Sequence, residues 1–315
     1  MDSTTARLLV SRRWPERMVV STQDLQDSGL DDRVLTASVR AGILERIRRG
    51  AYARADEWKA LSPWIRDDYR IDAHAAGTGG RAIYSHASAA RLHDFATWDV
   101  GPAVHIIGST NSGTSHAADT VAHRLPLAEN ETVIARTRDG RVVRATSPVR
   151  TVLDCARTLT VERAAVIGDS ALRKGVALSE LEASLEESPI IRGTARAARL
   201  LRLVNGLAES AGETRTRLLL AKLGIEPPEV QLCIETHLGL YRADFGWRRY
   251  KLILEFDGRG KYFDYRPTAE VLLLERRREA ALMELGWRFI RLVWADLEHP
   301  ELISARLAAA FATAA

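Results

Sequence analysis

The sequence predicts a multidomain α+β protein built from an N-terminal helix-turn-helix with a wing, a middle α+β segment and a C-terminal α/β domain on a mixed sheet. Three observations point there. At 315 residues the chain exceeds one ordinary domain. Its helical periodicities alternate with short stretches of period two. From Ser210 onward the elements follow in the order αβββαβα, which suits one mixed sheet flanked by helices. The expected divisions are 1–80, 81–206 and 207–315.

In the first part, Ser21 or Thr22 is placed to cap a helix through Leu25, Gly29 turns the chain, and Asp31 caps a second helix carrying Val34, Leu35, Val39 and Ile43. Leu44–Ala53 then alternates apolar and basic residues around Gly50, as a two-stranded wing would. Between Arg33 and Arg54 stand six arginines (Arg33, Arg40, Arg46, Arg48, Arg49 and Arg54) against one acid, Glu45. The net charge of +4 proves no nucleic-acid partner. Arginines clustered on a helix-turn-helix and wing do predict DNA contact: recognition by Arg33 and Arg40 in the groove, and phosphate contact by Arg46, Arg48 and Arg49 on the backbone.

A soft boundary is expected in the glycine-bearing stretch Ala75–Ala82. Beyond it, Ser88–His93 reads as helix, Ala103–Ile107 as a strand and Asn111–Ala118 as a loop. Thr132–Arg136 and Arg141–Ala145 form a hairpin around Asp139-Gly140. Ser147-Pro148 opens a further helix with an N-cap and a proline in its first turn. His86, His93 and His105 match no zinc spacing. Gly77-Thr-Gly-Gly80 lacks the Lys-Ser/Thr of a phosphate loop.

In the last part, Ser210–Leu223 is helical and stops at Gly224. Strands follow at Glu229–Thr236, Leu240–Trp247 and Lys251–Asp257, then a long helix at Pro267–Leu285 and a strand at Trp287–Trp294. Alternation puts Glu255 and Asp257 on one face of their strand, with Leu252, Leu254 and Phe256 on the buried other. A hairpin centred between Arg249 and Tyr250 sets Asp244 directly opposite Glu255. Like charges so placed destabilise a sheet unless a cation offsets them. Oxygen-only donors suit a hard cation, Mg²⁺ or Mn²⁺, held by Asp244 and Glu255 and able to activate water for phosphodiester hydrolysis. Glu213 fits both a supporting catalytic role and a capping box with Ser210. On the long helix Arg278 falls on the stripe of Val271, Leu274, Leu282 and Leu285, where it needs an acidic partner or a DNA phosphate.

Asp244, then ten residues, then Glu255-Phe-Asp257-Gly258 resembles the PD-(D/E)XK restriction-endonuclease-like superfamily, specifically its very-short-patch-repair (Vsr)-like branch. Glu213, Tyr241-Arg242-Ala-Asp244-Phe, Lys261-Tyr262, Glu275-Arg-Arg-Arg-Glu279 and Gly286–Trp294 support the match over about 105 residues. The resemblance implies a metal-dependent endonuclease. Its usual lysine, two residues after the acidic ligand, is Asp257 here. Either Lys261 supplies the amine near the scissile phosphate, or Asp257 is a further ligand.

Thr22-Gln-Asp-Leu25, Arg49-Gly50-Ala-Tyr52 and Ser85-His86-Ala-Ser88-Ala-Ala90 resemble the AbiEi winged-helix antitoxin family over about residues 15–160. That resemblance implies a DNA-binding regulator with a toxin or defence-system partner protein, an alternative to an active nuclease. No apolar run approaches the roughly 18 residues of a membrane span, and no secretory signal is read at the N-terminus. Cys155 and Cys233 read as buried thiols. The expected location is the cytoplasm.

Overall fold

The computed structural model describes residues 2–108, 118–258 and 269–313; the predicted loop Asn111–Ala118 falls almost wholly outside them, as does Lys261. The described residues form an α+β protein with three sheets. No described helix is long and apolar enough to cross a membrane. Two compact units emerge: Met1–Leu159 with Val176–Ala198, and Thr160–Gly175 with Arg199–Ala315.

The first unit opens with α1 (Ser3–Arg13) and the short strand β1 (Val20–Ser21). Ser21 caps α2 (Thr22–Asp27) in a reciprocal box: its hydroxyl accepts from the Asp24 N–H at 3.0 Å, and the Asp24 carboxylate accepts from the Ser21 N–H at 3.1 Å. Gly29 then takes a left-handed conformation (φ +83°) that a side chain would strain. Asp31 caps α3 (Asp32–Arg40), accepting from the Val34 N–H at 2.8 Å. Leu25, Leu30, Val34, Leu35 and Ile43 bury against Ala6 and Val10 of α1. The chain continues into the hairpin of β2 (Leu44–Arg48) and β3 (Ala51–Arg54), bulged between Arg46 and Arg48, with β1 on the outer side of β3.

The expected boundary near residue 80 is not where the units part. After α4 (Ala55–Ala60), helix α5 (Pro63–Thr78) runs through most of the glycine-bearing stretch, and only Gly79 and Gly80 make the turn. Along α5, Ala73 packs with Val19, Ala51, Ala53 and Trp58, while Ile71 and Ala75 pack with Tyr84, Val104 and Ala145 of the next sheet. One helix therefore serves both cores. That sheet has the order β6-β5-β4-β8-β7. Its strands are β4 (Ile83–Tyr84), β5 (Val104–Ile107), β6 (Thr120–His123), β7 (Thr132–Arg136) and β8 (Val142–Thr146), with α6 (His86–Leu92) following β4. The β7–β8 turn reaches back to the first segment: the Asp139 carboxylate accepts from the backbone N–H groups of Met18 and Val19 at 3.2 and 2.8 Å.

Asp72 of α5 lies at this junction, fully buried, accepting from the Thr137 hydroxyl and, at 3.3 Å, from the Asp139 N–H. Burial pushes its carboxyl up to about 7, with the Thr137 hydrogen bond opposing and the Asp139 charge reinforcing that rise. The folded state thus holds this proton more tightly than the unfolded chain does. The stabilisation is complete below the unfolded value near 3.8 and is lost as pH rises towards 7. Asp72→Asn should therefore gain stability over wild type across that window, by up to about 1.4 kcal/mol per pH unit. Urea denaturation at several pH values reads this difference; a pH-independent difference would contradict it.

Ser147 caps α7 (Pro148–Thr158), accepting from the Arg150 N–H at 3.2 Å. The chain then gives α8 (Val161–Arg173) to the second unit and returns with α9 (Leu178–Glu186) and the start of α10 (Thr194–Leu201). This excursion is why the expected limits 81–206 and 207–315 do not coincide with the units. Cys155 is buried as expected, whereas Cys233 is exposed, on the open side of its strand.

In the second unit α11 (Ala211–Lys222) precedes β9 (Glu229–Thr236), β10 (Gly239–Trp247) and β11 (Leu252–Phe256). The segment α12 (Ala269–Glu284) leads to β12 (Arg288–Leu292), and α13 (Pro300–Ala312) ends the chain. The sheet order is β12-β11-β10-β9, antiparallel except for the parallel pair β11–β12. Phe245, Trp247, Leu252, Leu254 and Phe256 line one core with Ile303 and Leu307 of α13. Ala243, Ile253 and Leu282 lie in the other.

Candidate functional site

The pairs Phe245–Leu254, Gly246–Ile253 and Trp247–Leu252 fix the hairpin register, and its next step places Asp244 opposite Glu255. The connecting turn, Arg248–Tyr250, is closed by Lys251 at φ +43°. Tyr241 and Ala243 pack on the side of Ile253, whereas Phe245 and Trp247 pack on the side of Leu254, so β10 changes face at Asp244. The neighbouring strand matches this change: Gln231, which the register sets beside Asp244, has the left-handed φ of +54°. As a result Tyr241, three residues from Asp244, also reaches Glu255.

Glu255 is mostly buried, at 17% side-chain exposure. It accepts a hydrogen bond from the Tyr241 hydroxyl. Burial and the Glu255 charge both push the Tyr241 phenol up, so it stays a protonated donor. Asp244 Oδ2 accepts from the Phe256 N–H at 2.8 Å, tying the two strands where their ladder ends. Arg291 on β12 pairs in register with Glu255. Its Nε lies 3.6 Å from Glu255 and 3.8 Å from Asp257, and its Nη2 lies 3.2 Å from Glu279 of α12. Burial pushes the Arg291 guanidinium down, but the hydrogen bond and charge of Glu279, with Glu255 and Asp257, raise it above its ordinary value. It stands as a fixed cation among three acids.

The structure thus brings Asp244, Glu255 and Asp257 to the end of one strand pair. Tyr241 and Arg291 complete the cluster, and neither was singled out as a site residue from the sequence. The available signal for Arg291 was a charge inside the apolar run Phe289-Ile-Arg-Leu292. Glu213 is buried and serves local structure: its Oε2 accepts from the Glu209 N–H at 2.8 Å and from Gln231 Nε2 at 3.1 Å. Ser210 accepts from the Glu213 N–H at 3.1 Å, so the cap forms with the returning bond shifted by one residue.

Arg278 is a correction. It is exposed, as are Leu274 and Leu285; Ala281 and Leu282 are buried near the C-terminal end of α12, with Leu282 packed among the sheet residues. No packed stripe therefore demands a partner for this guanidinium. The side chain of Val271 lies outside the described residues.

The donor set suits a hard divalent cation in kind, being carboxylate oxygen throughout. Glu255 Oε2 and Asp257 Oδ2 face the Arg291 guanidinium at 3.6 and 3.8 Å, so a divalent cation at these oxygens competes with that charge. In the arrangement shown, however, the acids surround a guanidinium, and no three described His, Cys, Asp or Glu side chains converge as a ready metal cage. Asp244 and Glu255 would hold the ion, with Arg291 displaced from Glu255.

In the first unit, α3 presents Arg33, Thr36, Ala37 and Arg40 at i, i+3, i+4 and i+7 on one accessible face, opposite buried Val34, Leu35 and Ser38. Arg46 and Arg49 are exposed on the hairpin. Arg48 is a correction to the predicted backbone contacts: its side chain is 15% exposed and pairs with Asp119 at 3.6 Å. A residue 71 positions away in sequence has taken the charge assigned to a phosphate.

No protein-family model matches the chain. It is similar to the uncharacterized protein Rv2248 of Mycobacterium tuberculosis strain H37Rv and to MT2308 of strain CDC 1551. Each is 32% identical over 282 residues, covering 87% of this chain and 94% of the relative. The crystal structure of RV2827C protein from Mycobacterium tuberculosis aligns with a TM-score of 0.43 and 17% identity, over 64% of this chain and 77% of that one. The chain belongs to the family of the uncharacterized Mycobacterium tuberculosis protein Rv2248.

Proposed function

We propose that this protein binds DNA through α3 and the β2–β3 hairpin, as a winged helix-turn-helix does, and that its second unit is a nuclease-type domain of the PD-(D/E)XK class. The observation that carries the reading is Asp244 registered opposite Glu255 at the end of a hairpin within a mixed four-stranded sheet. Asp244 and Glu255 hold Mg²⁺ or Mn²⁺, with Asp257 beside them. The ion, when bound, supplies an activated water and stabilises charge on the phosphodiester. Tyr241 fixes the rotamer of Glu255 by its hydroxyl. Arg291 pairs with Glu255, Asp257 and Glu279 in the resting protein and, once displaced, is available to a phosphate oxygen. Lys261, outside the described residues, is assigned to the scissile phosphate by the family pattern alone.

The test is incubation with plasmid, linear and single-stranded DNA, with and without Mg²⁺ or Mn²⁺, comparing wild type with Asp244→Ala and Glu255→Ala. Metal-dependent cleavage by wild type alone supports the reading. Equal cleavage by all three, or none under any condition, overturns it. A second reading, a non-catalytic DNA-binding regulator or antitoxin acting with a toxin or defence-system partner, is favoured by Arg291, which neutralises the acids without a metal.

The DNA-binding half has its own test. Arg33→Ala and Arg40→Ala should each weaken binding, as should Arg46→Ala and Arg49→Ala. For each phosphate contact removed, the slope of log K against log salt should fall by about 1. Arg48→Ala should leave that slope unchanged, because its guanidinium is already paired with Asp119. Fluorescence anisotropy at several salt concentrations measures all five; an unchanged slope in Arg46→Ala and Arg49→Ala would remove the hairpin from the interface.

A further inference from the structure

Within the first unit, α7, the end of β6 and the segment before α10 enclose a cavity of about 530 Å³. This falls inside the usual range of about 300–1,000 Å³ for small-molecule pockets. Four arginines line it, Arg124, Arg157, Arg192 and Arg196, against one carboxylate, Asp154. Asp154 is fully buried; its Oδ1 takes the Arg150 Nε at 2.9 Å, but its Oδ2 has no hydrogen-bond partner among the described residues. Arg157 has a side chain only 4% exposed; its Nη2 donates to the Ser188 hydroxyl at 2.9 Å and its Nη1 lies 3.9 Å from Asp154 Oδ1, but Nε and Nη1 make no hydrogen bond. The third orphan is Nε2 of His86, a residue 2% exposed whose other nitrogen meets the Ser85 hydroxyl at 3.0 Å.

Asp154 Oδ2, Arg157 Nε and Nη1 and His86 Nε2 thus leave hydrogen bonds for a ligand to make at one cavity, where each unmade bond is costly in a site removed from water. At the cavity wall the segment before α10 also packs directly on the backbone of α7. Gly193 sits in the left-handed region (φ +82°), and a Cβ there would come within 2.8 Å of the Arg157 carbonyl. His86 is itself held at φ +50°, with its ring stacked on His123 at 3.5 Å between centroids. Burial and the nearby charges keep the His86 imidazole neutral, so it offers one donor or one acceptor rather than a charge.

We propose that this cavity binds a small organic phosphate of about mononucleotide size. The arginines at its rim, Arg124, Arg192 and Arg196, with Arg157 behind them, take the phosphate; Asp154 Oδ2 and His86 Nε2 take the hydrogen-bonding groups of the organic part. Guanidinium forks suit phosphate oxygens, and a buried carboxylate oxygen selects an N–H or O–H donor. The site shares no residue with the carboxylate cluster of the second unit or with the basic face of α3.

Calorimetry on the full chain should use the four ribonucleoside 5′-monophosphates, their phosphate-free nucleosides and a 5′-phosphorylated oligonucleotide. At least one monophosphate should bind, with its nucleoside weaker by about tenfold or more, as loss of a charge-assisted contact implies. Arg124→Ala combined with Arg192→Ala removes two exposed side chains and should weaken binding by a similar factor without moving the unfolding midpoint. Asp154→Asn should weaken the nucleotide but not inorganic phosphate. Absence of binding by every monophosphate overturns the proposal, including the case where only the oligonucleotide binds and the rim variant abolishes it. Undiminished nucleotide affinity in both variants overturns it too.

Discussion

Glu255→Gln is expected to reduce metal-dependent DNA cleavage by at least about 100-fold while leaving DNA affinity unchanged. Loss of an outer-shell partner alone costs a metal site about 10–100-fold, and this substitution removes one of the two proposed charged ligands. The change is conservative for the fold. Glutamine keeps the length of the side chain, its carbonyl oxygen still accepts from Tyr241, and one of the charges around Arg291 is lost. Asp244→Asn should behave alike, since its amide oxygen still accepts from the Phe256 N–H. The decisive pattern is a fall in cleavage with an intact unfolding transition and an intact salt dependence of binding. Cleavage surviving in both variants would place the chemistry elsewhere in the chain.

Asp169→Ala is expected to cost the second unit about 3–5 kcal/mol, the penalty for breaking a buried ion pair on one side. Asp169 is 1% exposed and gathers three donors: the Asn205 N–H at 2.7 Å, the Thr214 hydroxyl at 2.9 Å and Arg217 Nη2 at 2.8 Å. It thereby ties α8, α11 and the segment after α10 into one core. Burial holds its carboxyl above the usual carboxylate range, against the opposing Arg217 charge and three hydrogen bonds. Alanine leaves the Arg217 guanidinium and the Thr214 hydroxyl without this acceptor. Asp169→Asn, which retains an acceptor, should cost less. Urea denaturation followed by near-UV circular dichroism measures both; a loss under about 1 kcal/mol for Asp169→Ala, typical of an ordinary surface change, would contradict this role.

Local chemistry made much of the architecture legible. Ser21, Asp31, Ser147 and Ser210 cap the helices that their side chains and positions predict, because capping needs only residues a few positions apart. The β10–β11 register was readable because a short turn leaves few ways to align two apolar strands. What failed to show depends on contacts distant in sequence. The Arg48–Asp119 pair spans two sheets of the first unit, and no spacing rule predicts it. The excursion of α8 into the second unit rests on Asp169 meeting residues 36 to 48 positions later. The face change at Asp244 needs Gln231 in a left-handed conformation, which a non-glycine residue rarely announces. Helical spacing identified a stripe on α12 but not how little of it would touch the sheet, and Arg278 was misplaced for that reason.

The central claim is that the acids around Arg291 form a cation site, and Mn²⁺ binding tests it without relying on cleavage. Electron paramagnetic resonance of free Mn²⁺, titrated with wild-type protein and with the Asp244→Asn, Glu255→Gln double variant, counts bound ions directly. One site per chain, present in wild type and lost in the double variant, is the predicted result. No bound Mn²⁺ in wild type, or equal binding by both proteins, would contradict it.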